Sequence, residues 1–375
     1  MKVKIHTLFQ YLLETTEAQP EAVLGLSLAR SPTLGAFLED LDPDLSLDWN
    51  QLSFQGLPDL RTRVIEQAGL GGQCTSDDVL ITAGAAEANY LVLRQVLTPG
   101  DRVVLERPGW PQADVMAEAI GCEIVHVDRR EADGWALPLD ELAAAITPDT
   151  RLVFLTNPNN PTGRLIPESE LRAVVQMVES VGAWLLVDEV YAGLEWSGPR
   201  PPSVAGLSPR GITTGSVSKA LGLQGLRTGW LICQDRGLLM DAVILRENAS
   251  EIMNVLGEKI AEVALRPDRL AAALAETRAE GRDNLDRLET FIASEPDLDW
   301  VPPEAGLIGL ARVSQGNADG LARALLAPPY RTFLIPGSAY GQPDHIRLGV
   351  GGGPDVRLDE GLARLSACLE ARHSA

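Results

Sequence analysis

Between residues 75 and 234, seven short apolar runs alternate with segments of helical periodicity, and this alternation narrows the possible folds more than any other feature. The runs are "DVLITA", "RVVLE", "EIVHVD", "RLVFLTN", "WLLVDEV", "GITTGSV" and "GWLIC". Segments such as "EANYLVLRQVL" and "ESELRAVVQMVESVG" lie between them. Parallel strands cannot be joined by a tight turn, and a helix is their usual crossover, so the pattern specifies an α/β layer with a mostly parallel sheet. The runs are apolar almost throughout, which predicts a sheet covered on both faces.

After residue 235 the texture changes. "ENASEIMNVLGEKIAEVAL" and "PDRLAAALAETRAEGRDNLDRLETFIAS" read as long helices. The stretches "GLIGLARV", "RTFLIPG", "HIRLGV" and "RLDEGLARLSACLEAR" then read as a smaller α+β unit. A chain of 375 residues is long for one core. The expected layout is an arm over 1–45 packing with the small domain, a large α/β domain with its connecting helix over 46–280, and a small domain over 281–375. The opening "MKVKIHTLFQYLLETTE" turns acidic after its apolar run and has no small-residue cleavage site. It reads as a helix and not as a signal peptide.

Composition excludes several function classes. The formal net charge is −20, which repels phosphate backbones, so no nucleic-acid partner is expected. Apolar runs such as "AWLLV" are too short to cross a membrane. The four cysteines have no C-x-x-C spacing and the four histidines are dispersed, which argues against a metal site or a disulfide framework. A cytoplasmic protein with reduced thiols is the expectation. The glycine clusters "GLGGQ" (69–73) and "GVGGG" (349–353) lack the G-x-G-x-x-G spacing of a dinucleotide loop and read as turns.

The chain has 32 basic residues but only four lysines: Lys2, Lys4, Lys219 and Lys259. Lys219 stands in "GSVSKALGLQGLRTGW", behind Ser216 and Ser218 and ahead of Arg227. Alone it reads as a surface lysine at a helix start. Four other features, however, fall at strand ends, where α/β sheets bind ligands. "ITAGAAEANYLVL" is a strand, a small-residue turn and a helix whose N-terminus suits a phosphate near Ala85 and Ala86. "ERPGWPQ" puts Trp110 in a loop past a strand, as a stacking surface or as core. "LTNPNNPTG" offers the amide of Asn160. "WLLVDEVYAG" ends an apolar strand on Asp188, a carboxylate that needs a partner there, and Tyr191 follows. The serines and Arg227 suit a dianion. The implied ligand has a phosphate, a flat ring, a ring nitrogen that wants a proton, and a group that reacts with an amine. Pyridoxal 5'-phosphate meets all four demands, with Lys219 as Schiff-base partner.

With these residues in view, the chain resembles class I/II aminotransferases of the fold-type-I pyridoxal-phosphate superfamily. "NPNNPTG", "VDEVYAGL" and "SVSKALGLQGLRTGW" follow the family's order and spacing across about residues 50 to 350. The resemblance implies a seven-stranded large domain, a smaller α+β domain and a homodimer. It implies that Lys219 carries the cofactor and shuttles protons, and that Asp188 keeps the pyridine nitrogen protonated. Asn160 and Tyr191 would bond the ring oxygen, and Trp110 would stack on the ring. Ala85, Ala86, Ser216, Ser218 and Arg227 would hold the phosphate. Arg347, in "HIRLGV", would grip the substrate's α-carboxylate.

Two departures touch the substrate side. The family's backbone-facing glycine is replaced in "LSLARSP" by Ala29, followed by Arg30. The tyrosine expected before "GLPDLR" is absent, so either Trp49, Asn50 or Gln51 substitutes or the contact is missing. This segment resembles the capreomycidine-synthase branch, which acts on hydroxylated arginine by elimination and ring closure. For such a substrate, Glu14 on the N-terminal helix is the candidate partner of the guanidinium, with Glu17 beside it, although a solvated helix face is the favoured explanation of both glutamates. Amino transfer on an L-amino acid is the leading expectation and elimination with cyclisation the alternative. A non-catalytic cofactor-binding sensor is the alternative from another class.

Overall fold

The computed structural model describes residues 2–48, 53–353 and 356–373. All seven apolar runs form strands of one sheet. They are β2 (Val79–Thr82), β3 (Arg102–Arg107), β4 (Glu123–Asp128), β5 (Thr150–Thr156), β6 (Trp184–Asp188), β7 (Gly211–Ser216) and β8 (Gly229–Cys233); β1 (Ala22–Val23) belongs elsewhere. Their order is β2-β8-β7-β6-β5-β3-β4. Strands β4, β3, β5, β6 and β7 run parallel, and β8 runs antiparallel to both its neighbours.

The continuous apolar runs are explained by two cores. Along β3, Val103 and Leu105 join helices Ala85–Val96, Gln112–Ile120 and Arg236–Glu247 on one face. Val104 joins helices Leu139–Ala145 and Glu168–Val181 on the other. Strands buried on both sides need apolar residues at every position. Only β4, at an edge, is mostly half-exposed.

The long helix expected over 247–265 is interrupted. One helix ends at Glu247 and the next spans Val255–Ala264, with Asn254 accepting from the Gly257 amide as its cap. Asparagine competes for backbone donors and so favours helix ends over interiors. The following helix does run unbroken over Pro267–Ser294, through position 280.

Beyond it lie β9 (Leu298–Trp300), β10 (Ile308–Val313), β11 (Thr332–Phe333), β12 (Ile335–Pro336) and β13 (His345–Gly349). Four of them form the antiparallel sheet β12-β13-β10-β9, and β11 pairs in parallel with β1 near the N-terminus. The opening segment does form a helix, Thr7–Glu14. Its Tyr11 hydroxyl donates to the Leu334 carbonyl, and Thr7 donates to that of Ala339. Later in the arm, Phe37 packs with Leu57, Leu60 and Ile81 beside the large sheet.

The "GVGGG" stretch is not a simple turn. A Cβ on Gly349 would stand 1.8 Å from the Leu26 carbonyl oxygen, and one on Gly351 would stand 2.1 Å from that of Leu28. These glycines let residues 24–30 lie directly on the end of β13. Among the described residues, no helix is long and apolar enough to cross a membrane, and no His/Cys/Asp/Glu group could hold a metal ion.

Candidate active site

Thr156, Asp188 and Thr214 lie side by side in register near the carboxyl ends of β5, β6 and β7. Beyond those ends is a cavity of about 210 Å³. Lys219, Asp188, Tyr191, Asn160, Trp110, Ala85, Ala86, Ser216, Ser218 and Arg227 all line it. The geometry thus brings together residues expected from sequence motifs that lie far apart along the chain.

Asp188 is buried, and burial pushes its carboxyl up to about 6, against the Asn89 amide, the Val190 N–H and nearby Lys219, which favour the charged form. Asn89 Nδ2 donates to Asp188 Oδ2 at 2.8 Å, and Thr214 donates to Asn89 Oδ1 at 2.7 Å. Asn89 is fixed because it sits on the buried face of helix Ala85–Val96, among Ala88, Val92 and Leu93. Sequence reasoning missed it, although a lone polar residue in an apolar helix face signals a buried partner.

Lys219 is half-buried, and its amine faces the cavity. Burial pulls its pKa down to about 8, helped by Arg347 and Arg227 and opposed by Asp188. Lys219 Nζ is 3.4 Å from Ser27 Oγ and 5.8 Å from the centre of the Tyr191 ring. The Tyr191 hydroxyl donates to Ser27 Oγ at 2.9 Å, and burial raises its pKa.

An anion cradle occupies one end of the cavity. Gly84, with φ of 83°, ends the turn before helix Ala85–Val96, and no side chain caps that helix. The Ala85 and Ala86 amides at its start have no backbone partner within the helix, whereas Glu87 already donates to the Gly84 carbonyl. Arg227 lies over this turn, donating to the Ala83 carbonyl; a Cβ on Gly84 would stand 2.6 Å from Arg227 Nη2. Trp110 is steadied by Gln112, which accepts from the indole at 3.2 Å and donates to the Ala86 carbonyl at 2.7 Å. At the wall, Thr156 Oγ1 and Gln224 Oε1 are buried without partners. A helix N-terminus, two serines, an arginine, a lysine amine and a buried carboxylate form a set of groups that fits pyridoxal phosphate.

Arg347 is buried in β13 and tied to the cavity through Asn160. Its Nη1 donates to Asn160 Oδ1 at 3.2 Å and to the Tyr340 hydroxyl at 2.5 Å, and its Nη2 to the Gly25 carbonyl at 2.6 Å. Its Nε has no partner, and a carboxylate would satisfy that donor. The Tyr340 phenol, driven up to about 12 by burial, stays protonated beside it.

The structure places several of the expected substrate-side residues away from the cavity wall. Ala29 is not part of the cavity wall: its N–H is held by the Lys219 carbonyl at 3.0 Å, and Leu28 lines the cavity instead. Glu14 is exposed and accepts from Gln10 one turn back, and Glu17 is also exposed. The helix is docked through Leu8 and Tyr11, which leaves Glu14 on its solvated side, and Glu17 lies in the turn beyond the helix end. Arg30 turns outward to pair with Glu280 at 2.6 Å. Trp49, Asn50 and Gln51 lie outside the described residues.

Comparison with known proteins identifies the family. The family described as aminotransferase class I and II matches residues 49–365. Capreomycidine synthase of Streptomyces vinaceus is 30% identical over 338 residues, covering 88% of this chain and 85% of that protein. Arginine–pyruvate transaminase AruH of Pseudomonas aeruginosa is 28% identical over 366 residues, covering 93% and 91%. Among solved structures, the PLP-dependent cyclase OrfR superposes with a TM-score of 0.89 at 27% identity, over 99% of this chain and 98% of that one. The chain belongs to aminotransferase class I and II, and is a fold-type-I enzyme whose cofactor is pyridoxal 5'-phosphate.

Proposed function

We propose that this enzyme moves the amino group of an L-amino acid to a 2-oxo acid, with Lys219 as the residue that bears the cofactor and carries the proton. The observation that carries this reading is the convergence of Lys219 and Asp188 in one cavity beside the buried Asn160–Arg347 pair. Bound pyridoxal phosphate supplies a carbonyl carbon that accepts amines and a protonated ring that withdraws electrons from the substrate's α-carbon. Asp188 would hold the proton on the ring nitrogen, with Asn89 keeping its carboxylate aimed. The Ala85 and Ala86 amides, Ser216, Ser218 and Arg227 would hold the phosphate. Trp110 would offer the ring a flat surface, and Asn160 and Tyr191 would lie toward its oxygen. Arg347 grips the α-carboxylate, and Lys219 takes and returns the α-proton. Lysine suits this post because its pKa falls readily on burial, whereas arginine keeps its proton.

A second reading, elimination with ring closure on a hydroxylated arginine, is favoured by the likeness to capreomycidine synthase and the cyclase. The solvent-facing position of Glu14 weighs against it, because it removes the carboxylate expected to meet the guanidinium. Incubation with arginine, hydroxyarginines and the common amino acids, each with pyruvate or 2-oxoglutarate, separates the two. Release of a new 2-oxo acid with amination of the partner oxo acid supports transfer. Loss of water or cyclisation without that exchange supports the second reading.

The division into an arm, a large domain and a small domain, a cytoplasmic location and a homodimer complete the proposal. Unpaired cysteines, three of them buried, suit a reducing compartment. Leu34, Leu38, Leu47, Met240 and Ile244 are exposed, Leu47 at 75%, and apolar side chains in that number suit a subunit interface. Light scattering at micromolar concentration tests this: twice the chain mass supports the dimer, and a fully active monomer refutes it.

A further inference from the structure

Residues 24–31 form a strap between the small sheet and the lysine loop. On one side, the Gly349 N–H donates to the Leu24 carbonyl at 2.6 Å and the Gly352 N–H to that of Leu28 at 3.2 Å. On the other, the Ala29 N–H donates to the Lys219 carbonyl at 3.0 Å, and Gln224 Nε2 donates to Ser31 Oγ at 2.7 Å. Gly222 is pressed against the Arg30 carbonyl, where a Cβ would stand at 2.3 Å. Backbone held on both flanks fixes where Ser27 leaves the strap.

That side chain is buried and points at the chemistry. Its hydroxyl stands between the Tyr191 hydroxyl, at 2.9 Å, and Lys219 Nζ, at 3.4 Å. A serine hydroxyl both donates and accepts, so it can pair with the lysine as ammonium or as amine. The other charged groups acting on Lys219 are Asp188, Arg347 and Arg227. The two arginines oppose its charge, and Asp188 is already held by Asn89 and the Val190 N–H. Ser27 is the neutral acceptor within reach of the amine.

We propose that Ser27 is a positioning residue that aims the Lys219 amine and links it, through the strap, to the substrate-side sheet. The proposal rests on Lys219 being the cofactor-bearing lysine.

The test uses the full chain with Ser27→Ala and Ser27→Thr. With cofactor removed, trace acetylation from pH 6 to 10 and peptide mass spectrometry give the titration midpoint of each of the four lysines. Loss of a hydrogen-bond acceptor disfavours the ammonium. Ser27→Ala is therefore expected to lower the Lys219 midpoint by about half to one pH unit, with Lys259 unchanged, and Ser27→Thr to restore it. In the loaded enzyme, Ser27→Ala is expected to lower kcat about tenfold and change KM less than about twofold, because the strap contact bears on the lysine and not on the carboxylate grip. An unchanged Lys219 midpoint, or an equal shift in both variants, overturns the proposal. Borohydride labelling of the wild type separates the premise: a label away from Lys219 refutes the lysine assignment, whereas a label on Lys219 with no effect of Ser27→Ala refutes only the role of Ser27.

Discussion

The two halves of the cavity are held by different means. The strand-end half places Asp188 and Ser216 at the last positions of β6 and β7, with Lys219 three residues on. Their places follow from the backbone of a sheet packed on both faces. The strap half puts Leu28 in the wall, with Ser27 and Arg347 reaching it through Lys219 and Asn160, and it is held by contacts between segments distant in sequence, such as the Arg347–Gly25 bond. It relies on glycines that leave no room for a Cβ. Rigid strand ends suit chemistry that tolerates little displacement. A strap and a small sheet joined by a few hydrogen bonds suit a part that meets different substrates.

This contrast predicts graded effects. Lys219→Ala, in the rigid half, is expected to abolish turnover by several orders of magnitude while leaving the fold intact, because nucleophile and proton carrier are lost together. Steady-state assays with circular dichroism check it. A residual rate within about tenfold of wild type would place the chemistry elsewhere.

Arg347→Ala, in the substrate half, is expected to raise KM by an amount equivalent to about 2–5 kcal/mol, because a buried carboxylate loses its charged partner. The visible spectrum of the bound cofactor is expected to stay the same. A changed spectrum with an unchanged KM would move Arg347 to the cofactor side and break the contrast.

The pH dependence of cofactor binding sharpens it further. Asp188 has its pKa raised, so it is neutral below about 6 and charged above, and only the charged form pairs with a protonated pyridine. Lys219 must lose its proton to join a carbonyl carbon, and its lowered pKa sets that step near 8. Affinity measured by fluorescence titration is therefore expected to rise with pH in two steps, near 6 and near 8. Asn89→Ala removes a donor to the carboxylate and is expected to move the lower step upward by about one unit, leaving the upper step in place. A single step unaffected by Asn89→Ala contradicts the role of Asp188.

The smallest effect is expected at Glu14→Gln. The side chain is exposed and makes only a local hydrogen bond, so turnover on every active amino acid is expected to stay within about twofold of wild type. A selective loss with arginine-like substrates would return Glu14 to the site and favour the cyclising reading.

The strand-end half is legible in the sequence, and the strap half is not, for a physical reason. Asp188 in "VDEVYAG" and Lys219 in "SVSK" sit in contiguous strand-and-loop segments, where period and composition carry the signal. Ser27 carries no such signal, because its role depends on Gly349 and Gly351 admitting the strap. The "GVGGG" stretch reads as turns for the same reason: close approach of a distant segment leaves no local periodicity. The break between Glu247 and Val255 is marked by Asn248 and Asn254, whose end-capping chemistry the apolar pattern conceals. Asn89 is recoverable, as the polar exception on an apolar helix face.

The central claim is that Lys219 is the residue joined to the cofactor. Borohydride reduction of the cofactor-loaded protein, followed by peptide mass spectrometry, tests it directly, because the chain has only three other lysines. The expected result is one pyridoxyl label, on the peptide containing Lys219, and none in Lys219→Ala. A label on Lys259, or a colour loss with no labelled lysine, would contradict it.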